Sequence, residues 1–360
     1  MKKHIYVLLI AVSVSICLLA FIYGCGSAAS GGGGGGGGGA SLTPWIYVGS
    51  DYDSTITYIN GATNTVAGSI ELGSYQPYHM AVSKDRKKLY VTTDSTDLLV
   101  IDTSTNQITS IITLETNALS YGMQLSESGD ILYITRYYDS GLERVYLNGG
   151  NTHEAVTPLG TPSVTILKSI VISDESHIAY VATDSGNVTT VELSSSGWGN
   201  HSTKTWVSGA SPYDLTMHKG CLVVPLHKLS SPSPCLFVSP TNFSTFEYSI
   251  STTETGLSGI TAIPGKDKLY VSVGVTPGKL KIIDWSGTTP TFEAIVVTGG
   301  VYVFDNPGLM AATADGKYVY VLSIGASATR VCVVDTITDT VVASIPVGQV
   351  AGSNLVIVYK

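Results

Sequence analysis

Six side chains are placed for chemistry, because each lies shortly before one of a series of similar apolar strands. The stretches "QPYHMAVS" (76–83), "LSYGMQLS" (119–126), "LKSIVIS" (167–173) and "SPYDLTM" (211–217) supply Tyr78, His79, Tyr121, Lys168, Tyr213 and Asp214. Aromatic and titratable groups gathered around a concavity are the kind of lining that binds a ligand. His79 could act as a general base or a metal ligand, but it has no second histidine or paired carboxylate near it in sequence. Asp214 belongs to a distant stretch, so any partnership with His79 must be made across the fold. The alternative for all six is packing or capping at the start of a strand.

Other catalytic patterns are missing. The sequence has no G-x-S-x-G, no H-E-x-x-H and no C-x-x-C, which removes the usual footholds for serine hydrolysis, zincin chemistry, zinc ribbons and haem attachment. Carboxylates recur as "DYDST" (51–55) and "DSTD" (94–97), with Asp139 and Asp184 in similar places. Their spacing suits an oxygen-loving cation, but no D-x-D-x-D-G loop is present, and Asp in a tight turn bonds its own backbone. They are read as turns, and no metal or cofactor is expected. Cys221 and Cys235 bracket "CLVVPLHKLSSPSPC", two strand-like runs joined by a Ser/Pro loop. Either they form a disulfide, which an exported setting permits, or they are two buried thiols. Cys332 in "RVCVVD" reads as a small buried apolar residue.

The strands that position these residues repeat through the chain. "IYVGS", "LYVTT", "LYITR", "AYVAT", "LVVPL", "LYVSV" and "VYVLS" centre on Tyr47, Tyr90, Tyr133, Tyr180, Val223, Tyr270 and Tyr320, at spacings of 43 to 50 residues. Each anchor is preceded by one strand and followed by two more, with Gly, Asp, Asn or Pro at the joints. A four-stranded unit of this length cannot bury both faces alone, so seven copies predict an all-β, seven-bladed β-propeller of antiparallel blades. The first unit begins directly at its anchor. The chain ends on "GSNLVIVYK", which follows "IPVGQVA" as "QPYHMAVS" follows "IELGSY". This last strand is the inner strand that the first blade lacks, and its predicted partner is Ile46–Gly49. Such a clasp closes the ring and removes two exposed sheet edges.

The motifs "LYVTT…LLVIDTSTNQI" and "VYVLS…VCVVDTITDTVVASIPVG" resemble the YVTN repeat of bacterial and archaeal surface β-propellers. The likeness spans 45–360 and is closest in the first, second and last repeats. The fifth departs most, with Val223 in the anchor position. The resemblance implies that the strand before each anchor lies nearest the axis and starts at the channel mouth. Tyr78, His79, Tyr121, Lys168, Tyr213 and Asp214 would then converge there as a ligand site. It does not imply an activity, since many functions sit on this fold.

The N-terminal segment gives the cellular address. Lys2 and Lys3 precede an uncharged apolar run that ends in "IYGC", which resembles the lipobox of a bacterial lipoprotein with Cys25 as the lipidated residue. Residues 1–25 read as that signal. Residues 26–44, with nine consecutive glycines at 31–39, read as a flexible tether with a span of about 25 Å. The formal net charge is −8, and without the two leader lysines 17 basic side chains face 27 acidic ones. That balance excludes an electrostatic footprint for nucleic acid. The sequence therefore predicts a monomeric, lipid-anchored propeller outside the cytoplasm, with the outer membrane or cell surface favoured. It would bind or scaffold an envelope protein, a glycan or a small ligand. The competing readings are a lactonase-like or dehydrogenase-like propeller enzyme and a surface-layer or adhesion component.

Overall fold

Strand order follows from the burial pattern each run dictates. A computed structural model of the chain describes residues 42–360, apart from 116–119, 138–139, 149, 157–166, 185, 195–196, 206–209, 228–232, 240–246, 252, 275–276, 297–303, 326–327 and 349–353. The expected lipid anchor at Cys25 and nearly all of the glycine tether lie outside the described residues. The described elements are all β-strands, arranged in seven antiparallel sheets. We number these blades 1 to 7 in chain order.

Blade 2 shows the plan. Pro77–Val82 lies innermost, followed outward by Lys88–Thr93, Asp97–Asp102 and Gln107–Thr113. The second and third strands are continuous apolar runs because a neighbouring blade packs on each face. Leu98, Leu99, Val100 and Ile101 are all buried, whereas Ile108 and Ile111 of the outermost strand are exposed. The turns are encoded locally. Asp102 Oδ1 accepts from the Ser104 and Thr105 amides at 2.8 and 3.0 Å, and Asp335 does the same for Ile337 and Thr338 at 2.8 and 3.1 Å.

The repeat motif has a physical basis at the joints between blades. Each of these turns ends on an Asn or Asp in the left-handed region: Asn64, Asn106 and Asp339 at φ of 53°, 57° and 53°. The hydroxyl of the anchor tyrosine in the preceding blade donates to that side chain. Tyr47 reaches Asn106 at 2.6 Å, Tyr320 reaches Asn64 at 3.4 Å, and Tyr270 reaches Asp339. Anchor and turn therefore form an inter-blade lock, which explains why both recur. Between blades 3 and 4 a different device appears. The buried Arg144 guanidinium lies 5.1 Å from the ring centres of both Tyr146 and Trp198, and it donates to Glu154 Oε2 at 2.6 Å and to the Ser194 carbonyl at 2.8 Å.

The ring closes as the sequence predicts. Leu355–Tyr359 pairs antiparallel with Pro44–Ser50, with Ile357 opposite Ile46 and Leu355 opposite Val48. Strand alternation makes the clasp a three-blade staple: Leu355 and Ile357 pack in the core shared with blade 7, Val356 and Val358 in the core shared with blade 2. Reciprocal backbone bonds between Thr43 and Lys360, at 2.9 and 3.1 Å, tie off the end.

The cysteines take the second of their two readings. Cys221 and Cys235 are buried and unbonded. Their strands do pair, but Cys235 lies opposite Pro225, four residues along from Cys221. At about 3.4 Å per residue that offset is far beyond disulfide reach. The joining loop is long enough to shift the register, so bracketing in sequence does not place the thiols side by side. Cys332 is likewise buried and free.

Candidate functional site

Register along the inner strands shows which residues share a level of the channel. Met80, Met123, Ile170, Ile260, Met310 and Leu355 each pair with the residue that follows an anchor tyrosine. Leu215 occupies this level in blade 5. One residue earlier, the level reads His79, Gly122, Ser169, Asp214, Gly259, Leu309 and Asn354. One earlier again, it reads Tyr78, Tyr121, Lys168 and Tyr213 across blades 2 to 5, but Ser258 and Gly308 in blades 6 and 7. The six residues singled out in the sequence therefore separate into two groups. Tyr78, Tyr121, Lys168 and Tyr213 form a rim on one half of the mouth, and His79 and Asp214 lie below it in the channel wall.

The rim is a continuous cluster. Tyr78 and Tyr121 meet edge to face at 5.7 Å, and Tyr121 lies 5.5 Å from Tyr137. The Lys168 ammonium sits between the rings of Tyr121 and Tyr213, at 4.8 and 5.4 Å from their centroids. Tyr213 stacks edgewise on His227 at 4.8 Å and remains 39% exposed. Partial burial lowers the Lys168 pKa below its usual value, and the Asp184 carboxylate opposes that shift. Among the described residues Lys168 makes neither a hydrogen bond nor an ion pair, so its three N–H donors are held only by aromatic faces.

The channel group is arranged for holding the ring together. Asp214 interrupts the inner strand of blade 5, which is split into Ser211–Pro212 and Thr216–His218. Its Oδ1 accepts from Ser169 Oγ at 3.0 Å and from the Leu215 amide at 2.9 Å, and its Oδ2 accepts from the Ile260 amide at 3.0 Å. One carboxylate thus links blades 4, 5 and 6. Desolvation outweighs these bonds and pushes its pKa up to about 6. His79 is paired with the clasp: Asn354 Nδ2 lies 2.8 Å from Nε2 and 3.0 Å from Nδ1. Burial lowers the His79 pKa to about 4, so the ring is neutral at physiological pH and accepts from the amide. The cavity that these residues line is about 40 Å³, room for a few water molecules and nothing larger.

The structure places Tyr78, Tyr121, Lys168 and Tyr213 in one cluster, and His79 and Asp214 both line the small cavity below it, each bonded to other residues. Sequence reading missed Tyr137, His227, Ser169 and Asn354. Tyr137 and His227 come from the ends of second strands, outside the inner-strand stretches where a site was sought. Asn354 could have been found, since it occupies the His79 level once the clasp is counted as an inner strand. The carboxylates of Asp94 and Asp97 bond the loop that precedes the inner strand rather than their own turn. Asp94 accepts from the Gln76 amide at 3.0 Å and Asp97 from Tyr75 Oη at 2.9 Å, and no metal-binding cluster occurs among the described residues. Asp139 lies outside the described residues.

No family model matches the sequence, and no curated protein does. Solved structures do share its fold. A functionally unknown protein from Desulfotomaculum acetoxidans is 14% identical with a TM-score of 0.69, over 87% of this chain and 98% of that one. A putative 6-phosphogluconolactonase from Bacteroides fragilis is 11% identical with a TM-score of 0.65, over 88% and 98%. Hydrazine synthase from Kuenenia stuttgartiensis is 16% identical with a TM-score of 0.64, over 77% and 88%. At these identities the likeness establishes the propeller architecture, and the differing names show that the architecture does not select an activity.

Proposed function

We propose that the chain is a lipid-anchored propeller of the YVTN-repeat kind, held outside the cytoplasm, that binds a ligand across the tyrosine-lined half of its channel mouth. The observation that carries this reading is Lys168: a partly desolvated ammonium between two tyrosine rings, on an exposed rim, with no acceptor among the described residues. A cation that serves only the fold would be expected to bond a carboxylate, as Lys268 does with Asp339 at 2.8 Å. The narrow channel below restricts a ligand to the mouth. The inter-blade bond from anchor tyrosine to turn Asn or Asp supports the family resemblance, and the tether would let the mouth reorient near a membrane. Catalysis has less support, because His79 and Asp214 are engaged in bonds between blades.

Binding is tested with the purified full chain in detergent against envelope glycans, peptides and small metabolites, alongside Lys168→Met and Tyr121→Ala. The reading predicts a ligand whose affinity falls at least about tenfold in both variants while their melting curves match the parent. A ligand that binds all three chains equally would place recognition elsewhere. The anchor is tested by metabolic labelling with a fatty acid. Label should enter the parent chain and be lost in Cys25→Ser, and an unlabelled parent would end the lipoprotein reading.

A further inference from the structure

We infer that the ligand of this mouth is a saccharide carrying a single carboxylate, such as a uronic acid unit flanked by neutral sugars; the inference rests on the ligand-binding reading above. Among the described residues the rim is lopsided. Blades 2 to 5 raise Tyr78, Tyr121, Lys168 and Tyr213, while blades 6 and 7 present Ser258 and Gly308 at the same level. At this level Gly308 carries no side chain and faces open space, the nearest atom to a Cβ built there being the Leu322 carbonyl oxygen at 4.0 Å. A raised aromatic crescent facing a low shelf suits an extended molecule lying across the mouth, and the 40 Å³ cavity beneath admits no large group.

The chemistry of the crescent narrows the class. Tyrosine offers an apolar face and a hydroxyl at low conformational cost, which matches the C–H face and hydroxyls of a pyranose. Lys168 adds one cation whose N–H groups point at no protein acceptor among the described residues, and a carboxylate would complete them through charge-assisted hydrogen bonds. The rest of the molecule argues against a dense polyanion. A net charge of −8 repels nucleic acids and polyphosphates, so the site favours one acidic group within a largely neutral chain.

The test measures binding of the full chain to an oligosaccharide ending in glucuronic acid and to the same oligosaccharide with that carboxyl reduced to an alcohol. The acid form should bind at least about tenfold more tightly at 150 mM salt. Lys168→Met should lower the acid form to the level of the reduced form and leave the reduced form unchanged. Tyr121→Ala should weaken both. Equal affinity for the two sugars, with sensitivity to Tyr121→Ala, would overturn the carboxylate inference and leave the mouth as a binding site. Tighter binding of an acidic peptide than of either sugar, or no binding of either sugar, would overturn the saccharide assignment. The separate ligand screen would then decide whether the mouth binds anything.

Discussion

Replacing Ile357 with alanine measures how much of the ring depends on its last strand. Ile357 lies opposite Ile46 and is 2% exposed, in a core that also holds Val48, Tyr320, Val331 and Val333. Truncation removes three buried carbons and leaves a cavity between blades 7 and 1, which costs about 2–4 kcal/mol in a core that does not collapse. Ile337→Ala is the matched control: the side chain is 74% exposed in a turn of blade 7, and its loss should cost less than about 0.5 kcal/mol. Equilibrium denaturation in urea, followed by tryptophan fluorescence, reads both. The clasp predicts a lower midpoint for Ile357→Ala with an unchanged slope, and an unshifted midpoint for the control. If Ile357→Ala behaved like Ile337→Ala, the strand would be detached in solution and the closed ring would be wrong.

The inter-blade lock is testable at Asn106, where φ is 57° and the side chain accepts from Tyr47. Asn106→Gly keeps the backbone conformation and should lose only the side-chain hydrogen bonds from Tyr47 and Lys360, about 1 kcal/mol, whereas Asn106→Ala adds left-handed strain and should lose about 2–3 kcal/mol by the same denaturation assay. Burial holds His79 near pH 4, below its ordinary 6.5, so the unfolded chain takes up a proton first and stability falls as pH drops from about 6.5 to 4. Asp214, pushed up from 3.8 to about 6, acts in the opposite sense, because its ionisation is easier in the unfolded chain. Each effect is at most about 3 kcal/mol and is reduced by partial exposure to the channel. His79→Gln should therefore lose less stability on acidification than the parent, and parallel pH profiles would refute the assignment. Burial also raises the thiol pKa values of Cys221, Cys235 and Cys332. These three should react with a thiol reagent only after unfolding. Fast labelling of the native chain at any of them would contradict their place in the core.

Much of the architecture was legible because it is periodic. The anchor strands recur with the same apolar pattern, and "DTSTN" and "DTITD" encode turns through their own side chains, so blade number and closure could be read without coordinates. The rim was also legible, since counting back from an anchor lands on Tyr78, Tyr121, Lys168 and Tyr213 in register. What escaped was the difference between neighbours. A register shift between Pro77 and His79 separates Tyr78 at the rim from His79 in the channel, and Tyr213 and Asp214 part where the blade 5 strand breaks. Arg144 was invisible for another reason. Its partners Trp198 and Glu154 come from strands in two blades whose repeats are degenerate, and no local pattern announces a stacked, buried guanidinium. The cysteines show the limit of spacing arguments: two thiols on paired strands still miss one another when the register is offset by four residues.

A ligand that engages the mouth should be captured there by a covalent probe. A photoreactive phenylalanine analogue can be placed at Tyr213, on the exposed rim, and in a parallel chain at Ser69, exposed on the outermost strand of blade 1. After irradiation of intact cells, the account predicts a discrete saccharide-bearing adduct from position 213 that disappears when Lys168→Met is added, and no such adduct from position 69. Equal adducts from both positions, or an adduct from 213 that ignores Lys168, would contradict it.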